Sequence, residues 1–377
     1  MAKTSCVRLQ DLIGLLNRHY PQNLAEEWDN VGLQVGDLKQ EITKSMIALE
    51  PTLDTVNQAI DQHCQLLITH HPLLFKPLKK ISKNDETGQI LFAAIQNNLA
   101  IVSIHTNLDH AADGLNDWLA QALKLPSPSP LLPPHPGDLI KLVVFVPLDH
   151  CEAVAQALFK AGAGHVGDYD HCSFRSSGTG TFRPGENTRP YIGQTGQDEQ
   201  VDEIRLETIV PRSRLSSVLQ RLHKVHPYEE IAYDLLPLEN RRTDVGLGRI
   251  SSLSQPTTLE QLAQRCKEAL STAAVRAVAP SEAKEISKVA VCGGSGASLI
   301  HEAARQGADV LITGDVKYHE AMTARSLGIA VIDAGHFATE HLMAATLATR
   351  LYNHSQQSGW EIEFLTAPGE IDPFRFL

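Results

Sequence analysis

At 377 residues the chain is too long for one ordinary hydrophobic core, so two or three domains are expected. Its 44 acidic against 33 basic side chains leave a net charge of −11, which on average repels phosphate backbones and anionic membrane surfaces and so argues against nucleic acid as a partner. No apolar run reaches membrane-spanning length, and six scattered cysteines without a CxxC pair fit reduced thiols, so a cytoplasmic protein with no membrane partner is expected.

The first segment, MAKTSCVRLQDLIGLLNRHYP, carries Leu9, Leu12, Ile13, Leu15 and Leu16 at helical spacing, which predicts an amphipathic first helix rather than a signal peptide. SMIALE then reads as a strand, TLDTVNQAIDQH as a helix, CQLLIT as a strand, TGQILFAAIQNN as a helix and AIVSIH as a strand. Leu125–Asp138, LPSPSPLLPPHPGD, holds six of the twenty prolines, so no regular element is expected to pass through this linker. Beyond it KLVVFVP, DHCEAVAQALFKAG, HCSFRSSGTGTF, VDEIRLETIVP, RSRLSSVLQRLHKV and YEEIAYDLLPL read as strand, helix, strand or hairpin, strand, helix and strand. That βαββαβ order is the ferredoxin-like arrangement. A softer boundary follows at Pro237–Gly248, PLENRRTDVGLG. KVAVC, ADVLIT and IAVID are again strands, alternating with helices near Ala297–Arg305, Lys317–Ser326 and Thr339–Tyr352. Apolar strands that each lead into a helix indicate an α/β layer fold. The expected organisation is an α/β domain in two pieces, residues 1–124 and 239–377, with the linker at 125–138 and an inserted ferredoxin-like α+β domain over 139–238.

The two flanks echo each other. CQLLITHHP is matched by ADVLITGDV, and IVSIHTNLD by AVIDAGHFATE, so the α/β domain reads as an internal duplication. Four places after predicted strands hold side chains that bind divalent metals: His70 with His71; His105, Asp109 and His110; His336, Glu340 and His341; and Asp315, His319 and Glu320. Open α/β sheets bind ligands at the carboxyl ends of their strands, so all four can share one sheet edge. His336 and Glu340 are four residues apart and share a face once a helix begins. Mixed imidazoles and carboxylates suit Zn, Fe, Mn or Co better than Ca or Mg, and carboxylates can bridge a metal pair.

The stretches EEWDNVGLQVGD, LLITHHPLLFKP, IHTNLDHAADGLND, VAVCGGSGASLI, LITGDVKYHEA and DAGHFATEH together resemble the GTP cyclohydrolase I type 2 homolog family, the Ngg-interacting-factor-three-like dinuclear-metal-centre proteins. The resemblance covers residues near 8–124 and near 243 to the C-terminus. The middle region, through GTGTFRP, RLETIVP and HPYEEIAYD, is similar to the extra PII/CutA-like domain of the longer bacterial members. The resemblance implies a dinuclear site built from the two histidines of THHP, the aspartate of HTNLD and the histidine and glutamate of GHFATE. Here these are His70, His71, Asp109, His336 and Glu340. It also implies two divalent ions per subunit and a homohexamer, a trimer of dimers.

Other candidates stay open. His105 is either a general acid or base beside the metals or a strand-end histidine bonded to backbone. Asp315 and His319 either support the site or serve as a helix cap and a solvated side chain. The loop Cys292–Ser298 is either an anion cradle or, better, a tight turn, since it lacks both the dinucleotide fingerprint and a Walker lysine. HPYEE reads as the start of a strand rather than a second metal site, and a structural role suffices for Trp28, Asp29 and Asn30. The expected function is metal-dependent hydrolysis of a nucleotide or another small phosphate ligand by a metal-activated water. The alternative is a non-enzymatic metal-handling scaffold with a ligand-sensing insert.

Overall fold

The short apolar runs form the strands the pattern requires. Leu66–Thr69, Ala100–Ser103, Val310–Thr313 and Ala330–Asp333 are buried at every position, as strands covered on both faces must be. The structure is a computed structural model that describes residues 7–134, 138–280 and 285–375. The chain resolves into two compact units, one of residues 1–132 with 244–377 and one of residues 133–243.

The first unit holds two sheets. One runs Gly32–Val35, Ala100–Ser103, Leu66–Thr69, Lys44–Ala48, Glu363–Thr366, parallel except for the first strand. The other runs Arg276–Val278, Ala330–Asp333, Val310–Thr313, Ile286–Val291, Leu247–Thr257, Ser129–Leu132, with its second, third and fourth strands parallel. Each sheet thus contains three successive parallel strands with an antiparallel strand beyond the third, which is the geometry of a duplicated α/β layer. The first helix, Leu9–His19, buries Leu9, Leu12, Leu15 and Leu16 in a cluster with Leu66, Ile68, Met343 and Leu347. Burial of each such side chain stabilises by about 1.5–3 kcal/mol.

The proline-rich stretch departs from expectation. Ser129–Leu132 is a strand, registered antiparallel with Arg249 opposite Pro130. It is tolerated because it is the outermost strand of its sheet, where a residue without an N–H can sit. Residues 135–137 of that stretch lie outside the described residues.

The second unit has the strand order Ser173–Phe182, Glu199–Pro211, Leu139–Pro147, Tyr233–Pro237, all antiparallel. With helices Cys151–Lys160 and Leu215–Val225 in the chain order βαββαβ, this is a ferredoxin-like fold. Leu142, Val144 and Val146 point alternately inward to meet Val154, Leu158, Val218 and Leu222 of the two helices. HCSFRSSGTGTF supplies a single long strand rather than a hairpin. Cys6 lies outside the described residues, and the other five cysteines are free thiols. Among the described residues no helix is long and apolar enough to cross a membrane.

Candidate metal centre

The parallel strands deliver their carboxyl ends to one place. Leu66–Thr69 ends at His70 and His71, and Ala100–Ser103 leads through His105 into the short helix Thr106–His110. From the second sheet, Ala330–Asp333 passes Gly335, at φ +91°, into the helix His336–Glu340. The expectation of a single sheet edge is therefore corrected: the duplication makes two separate sheets, and each contributes its own edge.

His70 is fully buried, and its Nδ1 donates to the Ile104 carbonyl at 2.9 Å. Its Nε2 lies 3.6 Å from Asp109 Oδ1 and 3.7 Å from Glu340 Oε1. His71 Nδ1 meets Glu50 Oε1 at 2.6 Å, and its Nε2 is 3.2 Å from Glu340 Oε2. His336 Nδ1 meets Asp315 Oδ2 at 2.7 Å, with Nε2 3.0 Å from Glu340 Oε2 and 3.4 Å from His71 Nε2. His105 Nδ1 meets Asp29 Oδ1 at 3.0 Å. Each imidazole thus has Nδ1 held by an oxygen, the arrangement that orients a metal-binding histidine. His70, His71 and His105 offer ligand atoms within 4.8 Å of one another, and so do His71, His336 and Glu340.

The donor set fits a cation. His70 Nε2, Asp109 Oδ1 and Glu340 Oε2 are buried and make no hydrogen bond, although two imidazole Nε2 atoms approach Glu340 Oε2. Leaving one such group unsatisfied costs about 1–3 kcal/mol, and a bound ion explains three together. Burial, and then Glu340, push the Asp109 carboxyl well above the usual range. Burial acts the same way on Glu340, yet the imidazoles hold it well below. Burial opposes charge on His71, but Glu340 and Glu50 push it up to about 10. Glu340, against the effect of burial, and Asp315 raise His336 to about 9. The site demands positive charge between its carboxylates.

A family description, Duf34/NIF3 (NGG1p interacting factor 3), matches residues 7–373. The chain belongs to the DUF34/NIF3 family. It is 39% identical over 377 residues to a Bacillus subtilis protein named GTP cyclohydrolase 1 type 2 homolog, covering 100% of both chains. It is 40% identical over 368 residues to the protein of that name from Halalkalibacterium halodurans, covering 98% of each. Among solved structures, the Bacillus cereus protein related to NIF3 superposes with a TM-score of 0.88 at 40% identity, over 99% of this chain and 100% of that one.

Residues around the imidazoles brace this NIF3-family site, and of these Glu50, Asn116 and Arg249 were not singled out from the sequence. Asp315 takes the supporting one of its two expected roles by holding His336, Glu50 holds His71, and Asp29 holds His105 while its Oδ2 accepts from the Thr106 amide at 3.1 Å and from the Thr106 hydroxyl. Burial opposes ionisation of Asp29, but His105 and Thr106 outweigh it and lower its pKa to about 2. A structural role for Asp29 alone is thereby too narrow: it fixes which nitrogen of His105 faces the site. Asn116, fully buried, donates to the Asp109 carbonyl at 3.0 Å and accepts from the Gly293 amide at 2.9 Å. Arg249, 1% exposed, pairs with both oxygens of Asp117 and donates to the carbonyls of Ala111, Gly246 and Gly248.

The glycine loop at Cys292–Ser298 is a close-approach turn. Gly294 has φ +59°, and a Cβ there would sit 2.1 Å from Glu340 Oε1. The amides of Gly294 and Gly296 already donate to Thr339 and Thr313 hydroxyls, so they cradle no anion. Of the remaining candidates, His319 is exposed, and the Glu320 carboxylate accepts from the Lys317 amide. His110 pairs with Glu26, and His341 stacks on Phe337. In HPYEE, His226 is buried and bonded to the Phe145 carbonyl, a structural role. A cavity of about 1030 Å³ opens at His71 and His336, lined also by Glu50, Arg276, Asp315 and Phe374.

Proposed function

We propose that this DUF34/NIF3-family chain holds two divalent metal ions, Zn, Fe, Mn or Co, between His70, His71, Asp109, His336 and Glu340, and uses them in hydrolysis. The observation that carries the reading is that His70 Nε2, buried and without a hydrogen bond, lies 3.6 Å from the equally unsatisfied Asp109 Oδ1 and 3.7 Å from Glu340 Oε1. When bound, such a pair supplies a water of lowered pKa and a countercharge for developing negative charge. The chain's own residues do the rest. Glu50 and Asp315 keep the Nε2 atoms of His71 and His336 turned inward, and the Ile104 carbonyl does so for His70. Asp29 holds His105 by Nδ1, which leaves Nε2 to take up or return a proton beside the site.

The name shared by the relatives points to a purine nucleotide as substrate, and the adjoining cavity of about 1030 Å³ has room for one. Self-association into a hexamer, a trimer of dimers, belongs to the same proposal. The exposed side chains Trp28, Phe75, Leu78, Ile81 and Ile95, gathered along one groove, support a covered face. Light scattering that gives a monomer contradicts that part.

The test is turnover of GTP and simple phosphoesters by metal-reconstituted protein, with His105→Ala and His336→Ala beside the wild type. His105→Ala is expected to keep its metals and lose about a hundredfold to ten-thousandfold in rate. Equal turnover in all three proteins contradicts the assignment. Two bound metals with no turnover on any substrate favours the metal-handling scaffold.

A further inference from the structure

The inserted unit carries a concavity of its own, about 570 Å³, walled in part by Phe145, Phe182, Tyr191 and Tyr228. The ring centroids of Phe182 and Tyr191 each lie 6.3 Å from that of Tyr228. Among these rings stands Glu203, only 8% exposed, on the strand Glu199–Pro211. Its Oε1 accepts from the Tyr228 hydroxyl at 2.9 Å. Its Oε2 lies over Gly180, where an added Cβ would be 2.1 Å away, so the glycine leaves the room that the carboxylate occupies. Glu229 and Glu230 also line the concavity. The two arginines of the wall are already engaged, Arg183 with Asp198 at 2.6 Å and Arg205 with Glu207 at 3.0 Å. What the concavity presents is aromatic faces and three carboxylates, of which Glu229 accepts from the Arg189 amide at 2.8 Å and Glu203 meets no cation among the described residues.

A nearly buried carboxylate is costly unless something positive or hydrogen-bonding meets it. Aromatic faces attract cations, and more strongly once water is excluded. We propose that this concavity binds a small organic cation, an amidinium, guanidinium or alkylammonium compound, with its charged head against Glu203 and its body along Tyr191 and Tyr228. Phosphate-bearing ligands are disfavoured there by the three carboxylates. This site goes beyond the metal-centre reading and stands whether or not that reading holds.

The probe is benzamidine, a flat amidinium, titrated into the full-length protein by calorimetry, with benzamide as its uncharged isostere. Saturable benzamidine binding is expected, with benzamide at least about tenfold weaker, as loss of a partly desolvated cation–carboxylate and cation–ring contact implies. Glu203→Gln and Gly180→Ala are each expected to weaken benzamidine by a similar factor, the second by displacing the carboxylate. Tyr191→Ala, at a side chain 54% exposed and so safe for folding, is expected to weaken it as well. No saturable binding to the wild type at concentrations on the order of 1 mM overturns the proposal. So does equal affinity for benzamide, or an affinity that Tyr191→Ala leaves unchanged.

Discussion

Replacing Arg249 with methionine tests how the two sheets are locked around the centre. The guanidinium is 1% exposed and makes five hydrogen bonds: to Asp117 Oδ1 at 2.6 Å and Oδ2 at 2.8 Å, and to the carbonyls of Ala111, Gly246 and Gly248 at 2.7, 2.7 and 2.9 Å. Ala111 lies two residues beyond Asp109, so the same side chain fixes the loop that carries a proposed ligand. Removing one partner of a buried ion pair costs about 3–5 kcal/mol. Asp117 is 25% exposed and regains water, so the lower end, about 3 kcal/mol, applies. At roughly 2–4 °C per kcal/mol for a large domain, Arg249→Met should lower the melting temperature by about 6–12 °C. Thermal unfolding by circular dichroism measures this. A double-mutant cycle with Asp117→Leu isolates the pair and should give a coupling above about 1 kcal/mol. A loss under about 1 kcal/mol with no coupling refutes the reasoning.

Gly294→Ala should empty the centre without unfolding the chain, because the new Cβ would lie 2.1 Å from Glu340 Oε1 at a φ of +59°. Metal analysis beside an unchanged far-ultraviolet spectrum checks it, and full metal content contradicts it. The pH dependence has a definite sign. His71 is pushed up to about 10 and His336 to about 9, so protons on them stabilise the metal-free chain fully below 6.5, and that stabilisation is lost as pH rises through about 9 to 10. A cation must displace those protons, so its affinity should rise with pH between 6.5 and 9. Calorimetry in buffers of different ionisation enthalpy should show proton release, and an affinity independent of pH contradicts the assignment.

The fold was legible where pattern and period coincide. Largely apolar runs such as LLIT and VLIT became buried parallel strands, and the spacing of Leu9, Leu12, Leu15 and Leu16 became the inner face of the first helix. Ser129–Leu132 was hidden because prolines mark breaks everywhere except at a sheet edge, and edge position is a property of the assembled sheet. His70, His71, His105, Asp109, His336 and Glu340 were among the candidates because they follow strands, and it was the family resemblance that set five of them apart from His110, His319, Glu320 and His341. Their braces did not. Glu50, Asn116 and Arg249 each depend on a partner far off in sequence, His71 at 21 residues, Gly293 at 177 and Asp117 at 132, and no local period encodes such a pairing. Asp29 sat inside a quoted signature, yet its role depends on His105, 76 residues on.

Asp109 and Glu340 would each serve both ions of the proposed two-metal centre, since a carboxylate has two oxygens to share whereas an imidazole offers one nitrogen. Elemental analysis of metal per chain, on wild type, Asp109→Ala, Glu340→Ala and His71→Ala reconstituted alike, tests it most directly. About two divalent ions are expected in the wild type, near none in either carboxylate variant, and about one in His71→Ala. Wild-type stoichiometry retained in Asp109→Ala or Glu340→Ala would contradict it.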